Sequence, residues 1–374
     1  MNSPAPLTVL TSAVGLGVYL PALLIQRALS GQGVAADIEL IEAQYRPEKQ
    51  QAHVASRDAQ QRDFALAKIA NRMVRDVSDC LDAARVQALF ARWAGQGRDR
   101  FVVWSGFWLP LLDDYRRYSG LPLNVDHCHI DAAVSASFRI HSQFADAGRD
   151  VWLWNWDRRE LGHRIAVGTR PARPYSQRDA TLVMHGGGWA LGTYLDTLSE
   201  LSRADYGLNV VVPQRQARLP RRERDRHFTL DAEWRAWTRN PDGGHDFPPM
   251  FELNNDGSQV ALDNAGHHAM HQLIRDAKAI VSKPGGCTLI DSLAAATPVV
   301  FLEAYSASEE RNASIWRHLG FAISYEDWRA SGFAEDTLRA LHENLLSAQG
   351  QGTDYIRSLL ESSPPRSAHT GSHR

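Results

Sequence analysis

The stretch SKPGGCTLID (282–291) combines residue types that could hold an anion. Gly285 and Gly286 follow an apolar run and precede a helical pattern, so backbone amides are left open where a helix starts. Thr288 can cap that helix or donate to a phosphate. Asp291 reads as a first-turn acid, serving either the helix dipole or, as an acceptor, the hydroxyls of a ribose. A second glycine-rich loop, HGGGWALGT (185–193), also follows a strand pattern and opens a helical one. The spacing of Gly187 and Gly192 is not the dinucleotide fingerprint, so this loop is either a ligand cradle or a tight turn. Two such loops in the second half of the chain suggest a diphosphate with a nucleoside attached.

Groups able to move a proton gather in NVDHCHIDAA (124–133). His127 and His129 titrate near neutrality and suit general-base work, with Asp126 beside them to orient an imidazole. The same residues read as a polar loop mouth, and with Cys128 as a weak zinc signature; no metal site is expected. Asp113 and Asp114 are a second acidic pair, equally readable as a solvated helix start. Trp104, Trp108, Trp152, Trp154 and Trp156 crowd the first half. Trp108 is the one considered for stacking a planar acceptor, against the alternative that it fills the core.

The elements that must position these groups are α/β. The N-terminus reads as a strand over 7–11, a loop with Gly15 and Gly17, a helix over about 21–30 and a second strand: a βαβ opening, hence a parallel sheet. After AVGTRPARPYSQRDA (166–180), which has no apolar period and reads as a linker, a second series of strand, glycine loop and helix begins. The stretch LPRRERDRHFTLDAEWRAWTRNPDGGHD (219–246) is polar and reads as mobile. The expected fold is two doubly wound Rossmann-like domains facing across a cleft, 1–170 and 171–361, with a disordered tail over 362–374. In such folds ligands bind beyond the carboxyl ends of the strands.

With 41 basic and 43 acidic side chains among 374 residues, the chain lacks the basic field of a nucleic-acid binder. The three cysteines are widely spaced and form no framework; a reducing, cytoplasmic setting is the simple expectation. No run of about 18 apolar residues predicts a membrane span, which leaves peripheral membrane contact open.

VSKPGGCTLIDSLAAATPVVF followed by SEERNA resembles the C-terminal domain of the GT-B glycosyltransferases, in particular the branch of the lipid-II N-acetylglucosaminyltransferase and the diacylglycerol glycosyltransferases. The match is close over 276–316, weaker at GGGWALGT and the N-terminal glycine loop, and unclear over 45–100 and 215–245. The resemblance implies that Gly285, Gly286 and Thr288 hold a diphosphate, and that Asp291 replaces the family's ribose-binding Glu with a side chain one methylene shorter. It implies that Glu309, Glu310 and Asn312 hold the donor sugar. Gly188 and Gly192 fall on the loop facing the nucleotide, with Thr193 closing that motif. The family's acceptor-side His after the N-terminal loop is Val18 here, which cannot take a proton. The activity so implied is an inverting, metal-independent transfer of a sugar from a nucleotide-diphosphate donor to a small, soluble acceptor, a natural product or metabolite. No cofactor is expected beyond the donor itself as co-substrate. A nucleotide-sugar epimerase of the same fold and a non-catalytic partner subunit are the alternatives.

Overall fold

The computed structural model describes residues 5–13, 15–213, 219 and 221–362. The tail expected to be disordered lies, beyond Ser362, outside them, as does 220 of the stretch read as mobile.

Five parallel strands form the first sheet: β1 (Leu7–Thr11), β2 (Ala36–Leu40), β3 (Arg100–Val103), β4 (Asn124–His129) and β5 (Arg149–Trp152), in the order β2-β1-β3-β4-β5. Every residue of β1 is buried, as befits a central parallel strand covered on both faces. The helix after it, α1 (Leu16–Gly31), starts earlier than expected and carries Pro21 in its interior. Proline lacks a backbone N–H, so the helical bond to the carbonyl four residues back, on Gly17, cannot form. That irregularity sits in the first turns of α1, which line the cleft described below.

The second sheet has eight strands. Its first strand in sequence, Asp179–Met184, lies inside it. Gly207–Val211 and Arg226–Leu230 pair in succession on one side, and Ala277–Ser282, Val299–Phe301 and Ala322–Ser324 on the other, all parallel. The direction of strand addition reverses between Asp179–Met184 and Ala277–Ser282, the switch point at which doubly wound sheets bind ligands. Met250–Leu253 and Gln259–Ala261 extend the edge antiparallel. Part of the stretch read as mobile is therefore strand. Phe228 is fully buried there, and Arg226 is held by both carboxylate oxygens of Glu252 on the neighbouring strand.

The expected linker is anchored at its end. Arg178 is buried and donates to the Ala277 carbonyl (2.9 Å) and Thr297 Oγ1 (2.6 Å), and Lys278 sits 4.0 Å over the Tyr175 ring. The final helix, Tyr355–Glu361, departs from the expected division at 171–361, because it packs back on the first sheet. Tyr355 Oη donates to Asp126 Oδ2 (2.9 Å) and accepts from Cys128 Sγ (3.5 Å), and Arg100 donates to the Leu359 carbonyl. Trp108 is also placed differently from one of its readings. It is fully buried against Trp93, and its Nε1 donates to the Thr11 carbonyl at 2.7 Å. No face of its indole is left for an acceptor.

Candidate active site

A cleft of about 810 Å³ opens where the carboxyl ends of the two sheets face each other. From the first half it is lined by Ser12, the loop Gly15 to Val18, Trp104, Ser105, Asp131 and Arg139. The second half contributes the loops 185–188, 283–288 and 303–310, with Leu191, His268 and Asp291. The N-terminal loop is fixed from below: buried Glu42 accepts from Ser12 Oγ (2.6 Å) and from the Ala13 amide (2.8 Å). Val18 lines the cleft, as its position after that loop suggests.

The motif 282–291 is at the cleft, with altered roles inside it. The strand Ala277–Ser282 ends, Gly285 stands at the N-cap in extended conformation, and the helix Gly286–Ala295 begins without a side-chain cap. Thr288 is therefore not the cap. The Leu289 amide already donates to the Gly285 carbonyl and the Gly286 amide to Asp131, so the open amides of the first turn are those of Cys287 and Thr288. Asp291 is the sixth helical residue rather than a first-turn acid, and it is buried. Its Oδ1 accepts from His268 Nε2 at 2.9 Å, while His271 Nδ1 lies 3.4 Å away, an ion-pair distance rather than a formed hydrogen bond. Burial pushes this carboxyl upward, but His268 and His271 outweigh it and hold the group well below the usual carboxylate range.

Gly286 is a glycine for a reason other than a ligand. A Cβ there would lie 2.5 Å from the Ile130 carbonyl oxygen and 2.9 Å from Asp131 Oδ1. Asp131, just beyond the end of β4, accepts from the Gly286 amide and from Asn312 Nδ2 at 2.7 Å. Asn312 also donates to the Pro284 carbonyl (3.0 Å) and accepts from the Ala132 amide (2.8 Å). These bonds clasp the two halves together. Fully buried, Asn312 has no polar atom left for a sugar hydroxyl, contrary to the role expected of it. Burial drives the Asp131 carboxyl up to about 6, with Glu309 adding to the effect and Asn312 and Lys283 opposing it.

Of the other residues expected to hold a sugar, Glu309 lines the cleft but is ion-paired to Lys283 and accepts from the Tyr305 amide at 2.8 Å. Glu310 is exposed and lines the cleft freely enough to meet a hydroxyl. In the loop 185–193, Gly188 faces the cleft and packs against Leu16 of the first half; a Cβ on it would lie 2.4 Å from that side chain. Gly192 and Thr193 are not in the lining. The loop leads into short 3₁₀ turns and the four-residue helix Leu198–Leu201, so it does not open a helix able to attract an anion.

The expected base is not brought to the cleft. Asp126 is the third residue of β4, bound through both oxygens to Arg149 at 2.9 and 2.7 Å. His129 is buried, bonded to Asp150 (2.8 Å) and stacked on Trp152 at 4.0 Å; His127 is buried beside it. Burial lowers the pKa of both imidazoles. Asp113 and Asp114 form ion pairs with Arg116 and Arg117 on the helix Leu109–Ser119, the solvated-helix reading. Asp131, five residues past Asp126, is the acid of the first half that reaches the cleft, and reading by residue type passed over it. Among the described residues no group of three His, Cys, Asp or Glu gathers as a metal site, and no helix is long and apolar enough to cross a membrane.

No family model and no curated sequence matches the chain. Solved structures do. The spinosyn rhamnosyltransferase SpnG aligns over 95% of this chain and 99% of its own, at 10% identity and a TM-score of 0.51. The glycotransferase of kitacinnamycin aligns over 97% and 100%, at 13% identity and a TM-score of 0.50. MurG of Acinetobacter baumannii aligns over 95% and 100%, at 14% identity and a TM-score of 0.48. The fold is that of the GT-B glycosyltransferases, with two Rossmann-like domains.

Proposed function

We propose that this protein is a glycosyltransferase that takes a nucleotide-diphosphate sugar in the second half of its cleft and an acceptor in the first. The observation that carries this reading is the open first turn of the helix Gly286–Ala295, which meets the cleft at the switch point beside Lys283. Amides and a lysine there would stabilise a departing diphosphate. A SpnG structure complexed with thymidine diphosphate, matched at a TM-score of 0.50, is consistent with a donor of that kind. The proposed course is inverting and metal-independent. The acceptor hydroxyl loses its proton to a base, its oxygen bonds to the anomeric carbon, and the bond from that carbon to the phosphate oxygen breaks, the nucleoside diphosphate leaving with the electron pair. Asp131, raised to about 6, is the candidate base. The acceptor is proposed to be a small, soluble natural product or metabolite.

Calorimetry with UDP, TDP and GDP tests donor binding, and release of nucleoside diphosphate with and without a chelator tests turnover and metal independence. Binding of none of the three nucleotides would refute the reading. Asp131→Asn should lower turnover by about 10²–10⁴ while nucleotide affinity does not weaken; a near-normal rate would remove Asp131 as the base. Val18 and the engaged state of Asp131 favour one second reading, a non-catalytic partner subunit. Donor binding without turnover in any acceptor mixture would support it.

A further inference from the structure

We propose that His185 is a further ligand of the donor diphosphate, giving its Nε2–H to a phosphoryl oxygen beside the Cys287 and Thr288 amides. The inference rests on the donor reading above and names a residue that the loop resemblance does not reach.

His185 directly follows the strand Asp179–Met184, at the switch point, and lines the cleft. Its stance is fixed three times over. Its amide donates to the Val281 carbonyl at 3.3 Å, its carbonyl accepts from Ser282 Oγ at 2.7 Å, and its ring accepts from the Gly187 amide at Nδ1, 3.0 Å away. An imidazole that accepts at Nδ1 carries its proton at Nε2. That Nε2 is buried and has no hydrogen-bond partner among the described residues, on a side chain only 5% exposed. A buried donor held in place without an acceptor costs free energy that a bound acceptor would recover.

The surroundings select an anion as that acceptor. The loops 185–188 and 283–288 converge, since a Cβ on Gly187 would lie 3.8 Å from Lys283 Cε. Lys283, ion-paired to Glu309, lies beside Gly187, and the helix Gly286–Ala295 brings its open amides. The charged groups that act on His185 are Asp291, Lys283 and His268. Burial lowers its pKa to about 4, Asp291 opposing and Lys283 and His268 reinforcing, so the ring is a neutral donor at physiological pH.

Two conservative variants separate the ring's two roles. His185→Asn keeps an acceptor within reach of the Gly187 amide and removes the distal donor. His185→Gln places an amide N–H near the position of Nε2. The probes are UDP and TDP, each with its nucleoside, titrated by calorimetry against the full chain. For the diphosphate that the wild type binds, the Asn variant should lose about 10- to 100-fold in affinity, with nucleoside affinity unchanged and the Gln variant recovering part of the loss. In the wild type, the Nε2–H proton resonance should move downfield on adding the diphosphate and stay in place on adding the nucleoside. An Asn variant that binds the diphosphate as tightly as the wild type, or loses nucleoside and diphosphate alike, overturns the assignment. So does an unmoved Nε2–H resonance, which needs no variant to fold. If the wild type binds neither diphosphate, the donor reading falls as well.

Discussion

Half-buried Asp131 and buried Asp291 are both carboxylates at the cleft, and their surroundings drive them in opposite directions. Asp291 has His268 and His271 against it, so removing it leaves imidazoles buried without their anion. Leaving the buried His268 Nε2 without its acceptor costs about 1–3 kcal/mol. Asp291→Ala should therefore lower the urea midpoint strongly at unchanged slope; a small change would mean the pair contributes little. Because the folded-state pKa of Asp291 is depressed, its stabilisation is present above the ordinary carboxylate value and is lost as pH falls below it. His185 acts in a higher window. Its folded-state pKa is about 4 against 6.5 unfolded, so the unfolded chain takes up the proton first. Its contribution is intact above pH 6.5 and declines as pH falls from 6.5 to 4. At pH 5 the loss is about 2 kcal/mol. Melting temperatures of the wild type and His185→Asn at pH 7 and pH 5 check this, and the variant should show the shallower fall.

At the scale of elements, the clasp formed by Asp131, Ala132, Gly286 and Asn312 holds the strand-end loop of β4 against the helix Gly286–Ala295. Asn312→Ala removes its hydrogen bonds without steric push. The Ala132 amide should then exchange with solvent faster, at a cost of about 1–3 kcal/mol in protection. Gly286→Ala acts by contact instead. Its Cβ would meet the Ile130 carbonyl at 2.5 Å, so small-angle scattering should show a larger radius of gyration than for the wild type, and an unchanged radius would show that the loop yields locally. The sequence made part of this legible. Glycine pairs after an apolar run mark a strand-to-helix loop, and that placed 282–291 at the cleft. Counting along β4 could also have found Asp131, since residues beyond a parallel strand's carboxyl end face the ligand, whereas Asp126 is mid-strand. Weighing residue type above position in the strand led to His127 and His129 instead. The clasp itself was not readable, because Asn312 and Asp131 stand 181 residues apart in the chain. The strand Arg226–Leu230 was hidden because its charged Arg226 finds Glu252 only after the sheet assembles.

At the scale of the whole molecule, the chain passes between the two halves twice, through the segment leading to Arg178 and through the returning helix Tyr355–Glu361. A chain ending at residue 352 should therefore lose stability in its first half specifically. Its first thermal transition should drop while the core around Asp179–Met184 melts as before. Coincident shifts of both transitions would show that the halves unfold as one unit. Tyr355→Phe should cause a smaller drop of about 1–2 kcal/mol, since it removes the hydroxyl shared with Asp126 and Cys128 and leaves the ring.

That return also orders events in time. During synthesis the five strands of the first sheet leave the ribosome long before Tyr355, with roughly 200 residues still to be made after β5. At ~5–20 residues per second this is a wait of ~10–40 s. Throughout it, the Asp126 and Cys128 side chains have no Tyr355 to meet. The nascent first half must persist unfinished, or be shielded by a chaperone, until the last helix is released to complete it.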